Sequence, residues 1–225
     1  MLIHEILEEN RGFDYEVALY NKLNKQGLVP SGFKPAGGGH SADGMFLYKQ
    51  KPYNFEIKLD QAADYGQVEL RNRDGNWVFG GTNEEAKELY TELGILDFVK
   101  SKWGKGGQPR KETVPTAEFT EDDMAYDYEN FKDAYTSVPI SALFDHYAKK
   151  NTYYIQVGKA GLYHMKKDIA GLGTPAFDAV LKLRIRIKRR TSKRLNGYGF
   201  LTALKIEKRA TPSPLNLDGD ISFLK

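Results

Sequence analysis

The segment Tyr53-Asn54-Phe55-Glu56-Ile57-Lys58-Leu59-Asp60 alternates apolar and polar residues without a break. A period of two fits a β-strand with one face in a core, whereas the apolar positions of a helix recur every three to four residues. Tyr53, Phe55, Ile57 and Leu59 therefore take the inner face, and Glu56 and Lys58 share the outer one. Asp43 to Tyr48 reads as a second strand, with Lys49-Gln50-Lys51-Pro52 connecting the two. A symmetric loop sets Tyr48 opposite Tyr53 and Asp43 opposite Lys58. Residues opposite or diagonal on one face of an antiparallel pair lie within side-chain reach, so Asp43, Glu56 and Lys58 are expected to converge. A slip of one residue would carry Asp43 to the far face.

Around this pair the chain reads as a mixed α/β protein. Leu2 to Asn10 is expected as a short helix, and Asp14 to Gln26 as a second, with Val17, Tyr20 and Leu23 at helical spacing and Gly27 as a left-handed cap. Glu16 lies beside that stripe, four residues before Tyr20, at the edge of the core. Pro30 to Gly39 is a loop. Asp74-Gly75 between two apolar runs predicts a hairpin, and Thr82 with Glu85 predicts a capping box for a helix that Gly94 interrupts. Gly104 to Asp123 carries glycine and proline clusters without an apolar period. A helix over Ile140 to Lys150 and strands at Thr152 to Val157 and Gly161 to Met165 follow.

From Phe177 to Arg190 the period of two returns, Leu181, Leu183, Ile185 and Ile187 alternating with Lys182, Arg184, Arg186 and Lys188. Gly199 to Lys208 is its expected hairpin partner, and the tail from Ala210 is expected to run along the surface. These patterns divide the chain into a core over residues 1–103, a linker or insertion over 104–139, and a basic β-rich extension over 140–225.

The formal net charge of +3 hides an asymmetry: Lys149 to Arg209 holds 16 Lys and Arg against Asp168, Asp178 and Glu207. A polyanion, nucleic acid first and an anionic membrane surface second, is the partner such a segment implies. Beyond the four strand cations, Arg189, Arg190, Lys193 and Arg194 continue the run. A two-stranded ribbon of this kind fits the major groove of duplex DNA; the structural alternative is the amphipathic edge of a surface sheet. The acidic stretch Glu118 to Asp133 has no regular spacing and reads as a solvated surface.

The 225 residues include no cysteine, so a metal would be held by oxygen or histidine. Glu-x-Lys on a strand is commonly a solvated pair; here the register with Asp43 and the preceding helical glutamate give it another meaning. Phosphodiester hydrolysis requires a cation to offset charge on phosphate, a carboxylate frame to hold it, and help in deprotonating water. Asp43 and Glu56, with the Ile57 backbone carbonyl and waters, form such a frame. Magnesium keeps several waters and takes only one or two carboxylates. Lys58 would orient or activate the water or stabilise the phosphate, and Glu16 would bind this metal or a second one. His40 and Gly37-Gly38-Gly39 read as a surface or phosphate-contacting approach, not as a nucleophile or nucleotide loop.

Helical Glu16, then Asp43, then Glu56-Ile57-Lys58 resembles the PD-(D/E)xK nuclease superfamily, which includes type II restriction enzymes, archaeal Holliday-junction resolvases and some homing endonucleases. The resemblance spans roughly residues 10 to 80, and Ala42 stands where the family's name has proline. It implies a restriction-endonuclease-like mixed sheet flanked by helices, a magnesium requirement with manganese as a substitute, Asp43 and Glu56 as ligands, Lys58 as the catalytic lysine and Glu16 as an auxiliary acid. Gln67 resembles the glutamine that some members place after the lysine strand to position water or contact DNA. The expectation is a cytoplasmic, homodimeric, site-specific endonuclease acting on double-stranded DNA, with no membrane association. A junction resolvase and a non-catalytic DNA-binding protein are the alternatives.

Overall fold

The computed structural model describes residues 2–34, 42–62, 64–189 and 193–225, with the backbone alone over 2–10. His40, the glycines 37–39 and Arg190 lie outside the described residues. In chain order the elements are α1 (Leu2–Lys25), β1 (Gly44–Tyr48), β2 (Lys51–Lys58), β3 (Tyr65–Arg73), β4 (Asn76–Gly80), α2 (Glu84–Glu92), α3 (Ile95–Trp103), α4 (Arg110–Thr113) and α5 (Glu121–Asn130). They continue with β5 (Ala134–Val138), α6 (Ile140–Lys149), β6 (Thr152–Val157), β7 (Gly161–His164), β8 (Val180–Arg189) and β9 (Tyr198–Lys208). The fold is α+β, with one mixed sheet and one antiparallel sheet.

Two compact units share the chain without respecting the boundaries expected from composition. The first comprises residues 1–63, 139–180 and 206–225, and the second residues 64–138 and 181–205. The basic segment is therefore divided between both units, and residues 104–139 are no linker. Asp127 explains the latter: it is fully buried, accepts the backbone N–H groups of Arg110 and Lys111 at 2.6 and 2.9 Å, and takes the Tyr198 hydroxyl. One carboxylate thus ties α4 and α5 to β9, which a surface reading of the acidic stretch missed.

In the first unit the strand order is β1-β2-β6-β7, with β2 and β6 parallel and the outer pairs antiparallel. Helix α1 is continuous where two helices were expected; it ends at Lys25, and Gly27 follows with φ +69°. Leu19 and Leu23 of α1 pack with Phe46, Phe55, Ile57 and Tyr154, burying the apolar face read from the alternation. The tail departs from expectation. Leu217, Ile221 and Leu224 enter this same core, and fully buried Gln156 both accepts from Leu217 N at 3.1 Å and donates to Asn216 Oδ1 at 2.8 Å.

In the second unit the order is β4-β3-β9-β8-β5. Its inner face carries Trp77, Phe200 and Tyr198, with Trp103 and Phe131 packed ring against ring on Trp77 and Phe200. The hairpin at Asp74-Gly75 forms as expected, both residues at positive φ. Helix α2 starts one residue later than the capping box suggested, with Asn83 capping Ala86 N.

Candidate active site

The hairpin that carries the site closes through Lys49 and Gln50, at φ +49° and +63°. Tyr48 pairs with Lys51, Phe46 with Tyr53 and Gly44 with Phe55, which shifts the register by two residues from the symmetric loop. Two-residue hairpins with both dihedrals left-handed match the twist of the flanking strands, hence the tighter turn. Because the side-chain period is also two, the shift leaves every residue on its expected face. Asp43 moves along that face from Lys58 towards Glu56.

Strand β1 begins at Gly44, whose missing side chain makes room for the Phe55 ring. Its pairing with β2 starts there, opposite Phe55, and the Asp43 carboxylate takes the Ile57 N–H at 3.0 Å. A strand residue directs its N–H and C=O to the same side, so the Ile57 carbonyl shares the strand edge with Asp43. On the outer face of β2, Glu56 is 7% exposed and its Oε1 accepts from Lys58 Nζ at 2.6 Å and from the Tyr147 hydroxyl at 2.8 Å. Tyr147, on α6 and itself buried, is the site residue that sequence reasoning missed. Its position in an amphipathic helix signals only core packing, and 91 residues separate it from Glu56.

The electrostatics follow from gathering acids out of water. Burial, reinforced by the charge of Glu56, pushes the Asp43 carboxyl up to about 8, against the pull of Lys58 and the Ile57 N–H. Burial also works to raise Glu56, but the Lys58 charge and hydrogen bonds from Lys58, Tyr147 and Asp43 hold it below the usual carboxylate range. Glu16 is raised by burial, with Lys58 opposing and Glu56 adding. All four expected residues of the first unit thus act on one another. Glu16 acts on the site as a neighbouring charge; among the described residues no group of three or more carboxylates and histidines stands ready to hold a metal.

Asp43 and Glu56 oppose each other electrostatically: the charge of Glu56 helps to raise Asp43, while Asp43 helps to lower Glu56. Two neighbouring carboxylates and a backbone carbonyl are oxygen donors of the kind that a small hard divalent cation bringing its own waters would take. Gln67 lies on β3 of the second unit, where its amide donates to Asp64 Oδ2 at 2.6 Å.

The basic strand also differs from expectation. Strand β8 is interior, flanked by β9 and β5, and so forms neither a sheet edge nor an isolated ribbon. Its cations are half-buried and held in place: Arg184 donates to Asp133 Oδ2 at 3.0 and 2.7 Å, Arg186 lies 3.9 Å from Asp64, and Lys182 sits 4.8 Å over the Tyr135 ring. Arg189 is exposed, its guanidinium 3.5 Å from Met124 Sδ, and Lys193 and Arg194 are exposed beyond it. Tyr198, at the start of β9, is fully buried. No helix among the described residues is long and apolar enough to cross a membrane.

No family model, no curated protein and no solved structure matches this chain.

Proposed function

We infer that the chain is a magnesium-dependent DNA endonuclease of the PD-(D/E)xK type, its first unit being a restriction-endonuclease-like core. The observation that carries this reading is the Asp43–Glu56 carboxylate pair, Glu56 buried on the outer face of β2 and Asp43 half-buried beside it, with the Lys58 ammonium 2.6 Å from Glu56. A divalent cation bound there would supply the positive charge that hydrolysis of a phosphodiester requires. Asp43 and Glu56 hold it, with the Ile57 carbonyl at the same edge. Lys58, on the polar face with Glu56, is the group placed to orient the attacking water or to meet charge on the phosphate. Tyr147 fixes Glu56 by occupying the oxygen that Lys58 also takes.

The interior position of β8 favours one variant of the reading. A five-stranded sheet at about 4.8 Å per strand is about 20 Å across, wider than a major groove of about 12 Å. Base reading by an inserted ribbon is therefore disfavoured, and a structure-specific enzyme of the junction-resolving kind gains over a site-specific one. Either would cut two strands, for which a homodimer is the simplest arrangement.

The test is cleavage of long duplex DNA and of a four-way junction, with magnesium or with EDTA, by wild type, Lys58→Ala and Asp43→Asn. Magnesium-dependent cutting lost by at least a hundredfold in both variants is expected. If the variants cut as well as wild type, the assignment fails; binding without any cutting would point to a DNA-binding protein with a nuclease-like core.

A further inference from the structure

The second unit's sheet buries one face in the aromatic core and turns the other outward. Register assigns that outer face. Tyr135 pairs with Arg184 and Ser137 with Lys182 across β5 and β8, while Glu69 pairs with Leu201 and Arg71 with Val78 across β3, β9 and β4. The face therefore presents Arg71, Arg73, Lys182, Arg184, Arg186, Lys188 and Lys205, against Glu69 and Glu207 on the strands and Asp64 and Asp133 at the margins. The aspartates hold cations in place: Asp133 takes Arg184, and Asp64 lies 3.2 Å from Lys205. Among these charges stand Tyr135, 47% exposed, and the half-exposed side chains of Val78 and Leu201.

We propose that this face is a platform for single-stranded nucleic acid, with Tyr135 stacking on a base and the surrounding cations meeting the backbone. Charge selects a polyanion. The breadth of the sheet keeps it out of a duplex groove, so a duplex would offer it phosphates alone, whereas an unpaired strand offers ring faces as well. An aromatic ring left half in water among cations suits such a strand: every base has a face to stack, and Lys182 already sits against the Tyr135 ring. The proposal concerns the second unit alone and is independent of whether the first cleaves.

The experiment is fluorescence anisotropy of the full chain with a labelled mixed-sequence 20-nucleotide DNA strand, its duplex, and the RNA strand of the same sequence, all in EDTA so that cleavage does not intervene. Wild type, Tyr135→Ala, Tyr135→Phe and an Arg71→Gln/Arg186→Gln double variant are compared. Single strands are expected to bind at least tenfold more tightly than the duplex at equal salt. Tyr135→Ala should weaken single-strand binding by about five- to hundredfold, following the usual range for a base–aromatic stack, and leave duplex binding unchanged, while Tyr135→Phe retains affinity. The double variant should lower the salt slope by about 1.4. Duplex binding equal to or tighter than single-strand binding, or indifference to Tyr135→Ala, would overturn the proposal, as would the absence of single-strand binding.

Discussion

At the scale of residues, the site is a competition between burial and charge. Asp43 keeps its proton in the folded chain up to about pH 8, while in the unfolded chain it loses it near pH 4. Its folded value is raised, so the folded state binds more protons across that window, and stability falls as pH rises through it. Glu16, also raised, acts in the same direction. In EDTA, thermal unfolding is therefore expected at lower temperature at pH 8 than at pH 5. Asp43→Asn should flatten this dependence and melt above wild type at pH 8; a wild-type profile as flat as the variant's would contradict it. Magnesium should raise the wild-type melting temperature more at pH 8 than at pH 5, because cation and proton compete for the same carboxylates. Tyr147→Phe removes the hydroxyl that donates to Glu56, a hydrogen bond to a charged acceptor worth about 1.5–3 kcal/mol. Urea denaturation should report a loss of that size, with cleavage slowed and not abolished, since Lys58 still holds the same oxygen.

At the scale of elements, the β1–β2 hairpin sets the distance between the two carboxylates, and it turns on two residues poorly suited to the task. Lys49 and Gln50 are both left-handed, a conformation that costs most L-residues about 1–2 kcal/mol and that asparagine and glycine adopt more readily. Both are exposed at the end of the hairpin. The double substitution Lys49→Asn/Gln50→Gly should therefore stabilise the chain by about 1 kcal/mol or more in urea denaturation without altering the site. Destabilisation would mean that the turn does not hold the two-residue register. Pro52 is compatible with that register because it precedes Asn54, where the pairing of β2 with β6 begins, so its missing N–H forfeits no ladder bond. The outer side of β1 is covered in turn, Leu47 N donating to Leu28 O at 2.8 Å.

At the scale of the molecule, the chain passes between its two units four times, and neither is continuous in sequence. The first unit depends on β6, which pairs with β2 from a point about a hundred residues later, and on a tail that buries Leu217, Ile221 and Leu224. Burying such side chains contributes about 1.5–3 kcal/mol each, a sum comparable with the whole stability of a typical domain. Deleting residues 211–225 is therefore expected to abolish cooperative unfolding, and a fragment ending at residue 103 is expected not to fold. Far-UV circular dichroism through a thermal ramp decides both; a sharp transition in either would show that the first unit does not need its distant strands.

Local pattern made much of this protein legible in its sequence. The alternation over Tyr53 to Asp60 assigned Glu56 and Lys58 to one face, and the parity of the strand kept Asp43 on that face even though the turn proved tighter. Gly27, Gly94 and Asp74-Gly75 marked ends and turns because positive φ selects those residue types by local sterics alone. What depended on partners distant in the chain stayed hidden. An apolar alternation shows that a strand has a buried face, not which strands flank it, so β8 read as a ribbon or as the edge of a surface sheet where the fold makes it an interior strand. Asp127 and Tyr147 likewise carry no local signal, since an acid in an acidic helix and a tyrosine in an amphipathic one acquire their roles only from the Arg110, Tyr198 and Glu56 groups that folding brings to them.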